Sequence, residues 1–268
     1  MQLKIQNRCA ENTLLPFNLV KGSVKERNAK SWQYWNKFLD KFMQAEEYTV
    51  DTFRNAIDST IEPNKINYKI LKEKNLYFSG STGIDIKLLP HEKGGLYVQR
   101  VGYKIKLPIS KNGKTILNKL TAVHEARHLF DYLLQPKTAC LRAKELVNNE
   151  KYDNDVDKLR TITLIDVKKK FSRKDFEQNF EKTLDKLPDN IAIEALQKLR
   201  TSLMTEINAS KCELKYLIKN NPLKNFGKII RIFLFYNNCN FKTREKFVSI
   251  KLKELLEKAR NDLRAKNL

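Results

Sequence analysis

Residues 115–135 read Thr-Ile-Leu-Asn-Lys-Leu-Thr-Ala-Val-His-Glu-Ala-Arg-His-Leu-Phe-Asp-Tyr-Leu-Leu-Gln. Ile116, Leu117, Leu120, Val123, Leu129, Phe130, Leu133 and Leu134 recur at helical spacing, which predicts an amphipathic helix. Asn112-Gly113 marks a turn before it and Pro136 a stop after it. Within that helix His124 and His128 stand at i and i+4, one turn apart on one face, where two imidazoles reach a single metal ion. Glu125 is turned by about 100° from His124, at the edge of the same face. Its carboxylate can take a proton from a metal-bound water without being a ligand itself. The chain has three histidines, and two of them are in the pentad His124-Glu125-Ala126-Arg127-His128, an HExxH motif. The plain alternative is an amphipathic helix whose surface happens to carry Glu, Arg and His. Asp131 lies three residues after His128, where it can accept the second ring N–H of a metal-bound histidine or cap a polar face.

Upstream, the pattern changes period. Ile84, Ile86 and Leu88 alternate with Asp85 and Lys87, and Val101, Tyr103, Ile105 and Leu107 alternate with Gly102, Lys104 and Lys106. Between them runs the turn-like Pro90-His91-Glu92-Lys93-Gly94-Gly95. This predicts a strand–turn–strand unit, a small antiparallel β element over about 80–109, with Pro108 ending its second strand or lying at an edge. Trp32, Trp35, Leu39 and Phe42 predict a core-facing helix over 26–46, and a second helix is expected over 50–61 before Pro63. After the pentad the expected helices are 138–149, 153–170, 173–186, 189–219, 223–236 and 243–266, with a polar link over Glu150 to Asp157. The fold class is therefore α+β and predominantly α-helical. Three regions are expected to form one compact unit: an N-terminal helical region over 1–75, a core over 76–220 with a helical insertion, and basic C-terminal helices over 221–268.

The order of small β element, HExxH helix and further helices resembles the zincin metallopeptidases, over roughly residues 80–220. The resemblance implies a zinc cofactor and a protein or peptide substrate. It also implies that the strand before the pentad helix, here with Val101, Tyr103 and Ile105, pairs with an extended substrate by addition to a sheet edge.

A catalytic zinc takes three protein ligands and keeps one position open for water. No histidine follows His128, which excludes the extended metzincin signature, so the third ligand is a carboxylate, a cysteine or His91. Glu206 has Ser202, Leu203, Ala209 and Ser210 as its helical neighbours and no basic partner among them. Its Glu-x-x-Ala context is similar to the glutamate helix of gluzincins, which implies a two-His, one-Glu site of His124, His128 and Glu206 with Glu125 as general base. Glu206 lies 78 positions beyond His128, farther than in thermolysin-like enzymes, so a helical insertion must intervene. Glu213, one heptad on, is the alternative ligand. Glu194 has Lys198 at i+4 and reads as a surface ion pair, and His91 as a solvent-facing turn residue. Tyr103, Tyr132 and Tyr216 are unranked candidates for stabilising an oxyanion.

The formal net charge is +21, and from Pro222 to Leu268 twelve basic and four acidic residues leave a local +8. Such an excess predicts attraction to acidic partners or nucleic acid, although a Lys-rich composition also produces it without any ligand. There is no aromatic-interleaved RNA motif and no zinc-finger spacing. No apolar run is long enough to span a membrane. Pro16 and Asn18 interrupt Leu14, Leu15, Phe17, Leu19 and Val20, and no small-residue cleavage site follows. A cytoplasmic location, or secretion by a route without a conventional signal peptide, is the expectation. Cys9, Cys140, Cys212 and Cys239 are far apart and make no CxxC pair, so reduced and mostly buried thiols are expected. The functional expectation is a zinc-dependent metalloendopeptidase. The alternative is a basic helical nucleic-acid-binding or interaction protein with a degenerate pentad.

Overall fold

A computed structural model of the chain describes residues 22–61, 66–75, 78–88, 102–110, 114–134, 151–165, 172–230 and 240–265. Its elements, in chain order, are α1 (Val24–Met43), α2 (Val50–Asp58), β1 (Ile66–Asn75), β2 (Phe78–Leu88), β3 (Gly102–Pro108), α3 (Lys119–Leu134), α4 (Asp153–Arg160), α5 (Arg173–Leu184), α6 (Asp189–Lys219) and α7 (Phe241–Ala265). The protein is predominantly α-helical, with one small antiparallel sheet. It divides into two compact units, and the cut falls within α6. Residues up to Ala139 together with Lys211–Asn220 form the first; Cys140–Ser210 together with Asn221–Leu268 form the second. This division differs from the three regions expected from the sequence, because α6 supplies residues to both units.

In the first unit, α1 begins at a capping box. The Ser23 hydroxyl accepts from the Glu26 amide, and the Glu26 carboxylate accepts from the Ser23 amide. These bonds hold the exposed Glu26 carboxyl below the usual range. The aromatic stripe of α1 is core. Trp35, Phe38 and Phe42 are fully buried, and Phe38 packs edge-on to Phe53 of α2 and tilted against Phe130 of α3. Each such burial contributes roughly 1.5–3 kcal/mol. The Trp35 indole N–H donates to the Val123 carbonyl at 3.3 Å, which ties α1 to the pentad helix.

The sheet has the order β1-β2-β3. β2 and β3 pair antiparallel with Ile84 opposite Ile105 and Ile86 opposite Tyr103, the pairing that the alternation implied. β1 was not foreseen: it pairs antiparallel with β2 from Ile66–Leu88 onward and occupies part of the region expected to be helical. β3 ends at Pro108, and the Pro108 carbonyl accepts from the Leu117 amide. Ile105 and Leu107 are buried, as are Ile109 and Ile116, which bridge to each other.

The pentad helix starts later than its apolar pattern suggested. Thr115 and Ile116 lie in β-bridges, to Thr49 and Ile109, and α3 begins at Lys119. Asn118 sets that start: its side-chain oxygen accepts from the amides of Leu120 and Thr121. Bridges and cap together override the helical periodicity of the preceding turn.

In the second unit, α4, α5, α6 and α7 enclose a core of Val156, Leu159, Phe176, Phe180, Leu196, Leu199, Leu203, Val248 and Leu252. The polar link expected over 150–157 is shorter than its composition suggested, because α4 begins at Asp153. After α4 the chain makes a π-helical turn, Thr161–Ile165. Its Ile162 and Thr163 carbonyls accept from the buried Arg244 guanidinium, which also lies 4.8 Å from the Phe176 ring centre. A π turn widens the backbone, and here the displaced carbonyls find a charged donor.

Candidate metal centre

Two helices build the site. α3 presents His124 and His128 one turn apart, and α6 presents Glu206 and Glu213 seven residues apart on one face. The two imidazole rings stand nearly perpendicular with centres 4.7 Å apart, and their Nε2 atoms are 3.0 Å from each other. Two donors bound to one tetrahedral zinc are about 3.4 Å apart. The histidine pair is therefore spaced close to what one ion requires.

The ligand atoms of His124, His128 and Glu206 all lie within 4.8 Å of one another. The three side chains thus converge. His128 is buried, while His124, Glu125 and Glu206 are half-buried.

Glu213 reaches the other nitrogen. His124 Nδ1 lies 2.7 Å from Glu213 Oε1. A carboxylate accepts only, so it holds a proton on Nδ1 and leaves the lone pair on Nε2, the atom 3.0 Å from His128 Nε2. This is the arrangement by which a metal-binding histidine is fixed in tautomer and ring orientation. The sequence offered Glu213 as an alternative ligand; its observed contact is with His124 Nδ1, not with the Nε2 that lies near His128.

Asp131 was expected beside a histidine. Its Oδ1 instead accepts from Arg127 Nη2 at 2.7 Å and from the Ser31 hydroxyl at 2.8 Å. Arg127, the fourth residue of the pentad, is fully buried and lies 4.0 Å from the centre of the Trp32 ring, whose surroundings also include the Lys215 ammonium at 4.4 Å. Burial pulls the Arg127 pKa down, and the Asp131 carboxylate opposes that. Arg127 and Asp131 are one turn apart on α3, so their pairing follows from helix geometry. The sequence did not reveal that Ser31 and Trp32 of α1 would enclose them.

Three residues were candidates for pairing with a substrate strand. Val101 lies outside the described residues. Tyr103 belongs to β3 through its backbone, and Ile105 is fully buried, so its side chain serves the core. Tyr216 is buried on α6, where Asn220 Nδ2 donates to its hydroxyl at 3.3 Å. Burial, with Tyr48 nearby, pushes its pKa up to about 12. Glu194 pairs with Lys198 at 2.7 Å, the surface role read from its spacing. Cys212 is a buried free thiol; Cys9, Cys140, Cys239 and His91 lie outside the described residues.

The donor set suits zinc. It offers two imidazoles and one carboxylate, which could hold a metal ion, and Glu125 follows the first histidine in sequence. No family model, curated protein or solved structure matches the chain.

Proposed function

We propose that the chain is a zinc-dependent metallopeptidase of gluzincin type. One observation carries this reading: the convergence of His124, His128 and Glu206, from two different helices, on one point. His124, His128 and Glu206 would hold the ion, and Glu213 would orient His124 through its Nδ1–H. Zinc bound there supplies a Lewis acid that acidifies a water and polarises the scissile carbonyl. Glu125, half-buried and next to the first histidine in sequence, would serve as the base that accepts a proton from water and hands it to the leaving amine. β3, paired with β2 along one side, offers an extended backbone for a peptide substrate.

The test uses the full chain and a complex peptide mixture read by mass spectrometry. Wild-type protein loaded with zinc should generate new peptide termini. Glu125→Gln should retain zinc and generate none, because the base is lost while both imidazoles remain. Turnover in Glu125→Gln equal to wild type would overturn the assigned mechanism. The alternative, a basic nucleic-acid-binding protein, rests on the net charge of +21. It requires binding to DNA or RNA that weakens steeply with salt, together with no retained zinc.

A further inference from the structure

Downstream of α6 the chain makes a tightly held turn. Asn221 has a φ of 84°, in the left-handed region. Its side-chain oxygen accepts from the Lys224 amide at 3.0 Å, and its carbonyl accepts from both the amide and the side chain of Asn225. Asn225 is itself buried. The turn is therefore anchored from within, yet it directs its large apolar side chains outward. Leu223 is 87% exposed, Phe226 62% and Ile230 39%.

Single exposed apolar residues are ordinary, but three within eight positions, on this turn and the helical residues 226–230 that follow it, are not. Their polar neighbours are all of one sign. Lys224 and Lys228 are exposed, neither pairs with an acidic group among the described residues, and no Asp or Glu occurs between Asn221 and Ile230. Apolar prongs flanked by unbalanced ammonium groups match the boundary of an anionic bilayer. There Leu and Phe enter the acyl region while lysines stay at the phosphates. Residues 222–268 carry a local net charge of +8, which adds to the attraction for an anionic surface. No helix of the described residues is long and apolar enough to cross a membrane.

We propose that residues 221–230, a turn followed by a helical stretch, dock the protein on anionic lipid surfaces, with Leu223 and Phe226 as inserted anchors and Lys224 and Lys228 as headgroup contacts. This docking does not depend on the metal centre.

The probe is sedimentation of the full chain with phosphatidylcholine vesicles, with and without phosphatidylserine. Wild-type protein should bind the serine-containing vesicles and not the neutral ones. Leu223→Ser/Phe226→Ser should weaken that binding about tenfold or more, since two apolar anchors are lost. Lys224→Gln/Lys228→Gln should weaken it too, and added salt should weaken it further. All four side chains are exposed, so circular dichroism should stay that of wild type. Absence of binding to anionic vesicles would overturn the proposal. Unchanged binding in Leu223→Ser/Phe226→Ser would do the same, because adsorption would then come from net charge alone. A concentration-dependent dimer abolished by that double variant, without vesicle binding, would assign the turn to a second copy of the chain instead.

Discussion

His124 Nδ1 and Glu213 Oε1 stand 2.7 Å apart, joining the first histidine of the pentad to a carboxylate 89 positions along the chain. A bond at this nitrogen decides which nitrogen remains to bind a metal. It separates the two acidic residues of α6, which the sequence left as rivals. Glu206 faces the cluster, and Glu213 backs one of its members.

This separation can be measured. Glu213→Ala should retain zinc but weaken its binding about 10–100-fold, the usual cost of losing an orienting partner. Glu213→Gln should fall less, because its amide oxygen still accepts from Nδ1–H. Glu206→Ala should fall further than either. Competition with a chromogenic chelator gives all three affinities. An unchanged affinity in Glu213→Ala would show that the contact orients nothing. A loss equal to that of His124→Ala, with Glu206→Ala unaffected, would make Glu213 the ligand.

The buried pair inside the pentad helix predicts a different signature. Asp131→Ala leaves the fully buried Arg127 guanidinium without its carboxylate, and should destabilise the fold by about 3–5 kcal/mol. Arg127→Met should be costly as well, since it strands the Asp131 carboxylate. The combined Arg127→Met/Asp131→Leu variant should recover a substantial part of the loss, because no charge is then left buried. Urea denaturation of the three variants checks this. Additive losses in the double variant would mean that the two groups do not act as a pair.

Cys212 provides a test of packing between α3 and the end of α6. Burial pushes its thiol well above the ordinary range, while the neighbouring Arg127 guanidinium pulls the other way. At neutral pH it carries almost no thiolate, which is the reactive form. Iodoacetamide should leave Cys212 unmodified in native protein and label it once urea unfolds the chain, as peptide mapping would show. Rapid labelling under native conditions would mean that this part of α6 does not pack as described.

Much of the framework was legible because it rests on local periodicity. Trp32, Trp35, Leu39 and Phe42 marked α1, and the alternation around Ile84 and Ile105 marked the β2–β3 pair. The apolar run from Asp189 to Lys219 marked α6 with its ends. β1 was not legible. Ile66, Tyr68 and Ile70 alternate with polar residues, but Leu71 breaks the alternation, and Lys72, Glu73 and Lys74 are helix formers. Its strand state comes from pairing with β2, which local propensity does not encode. In the site, the i,i+4 histidines were visible as a motif. The choice between Glu206 and Glu213 was not, since both lie on one face of α6 and only the placement of α3 decides which nitrogen each meets. The position of Asp131 was likewise hidden. Arg127 reads as a surface charge until Ser31 and Trp32 of α1 close over it.

The metal itself is the decisive quantity. Full-length protein, loaded with zinc and dialysed exhaustively against buffer, should hold one zinc per chain by elemental analysis. His128→Ala and His124→Ala should hold none, since each removes a ligand from the convergent set. Wild-type protein without stoichiometric zinc, or a histidine variant that retains the full complement, would contradict the metal centre and leave the pentad as part of a packed helix that happens to carry two histidines.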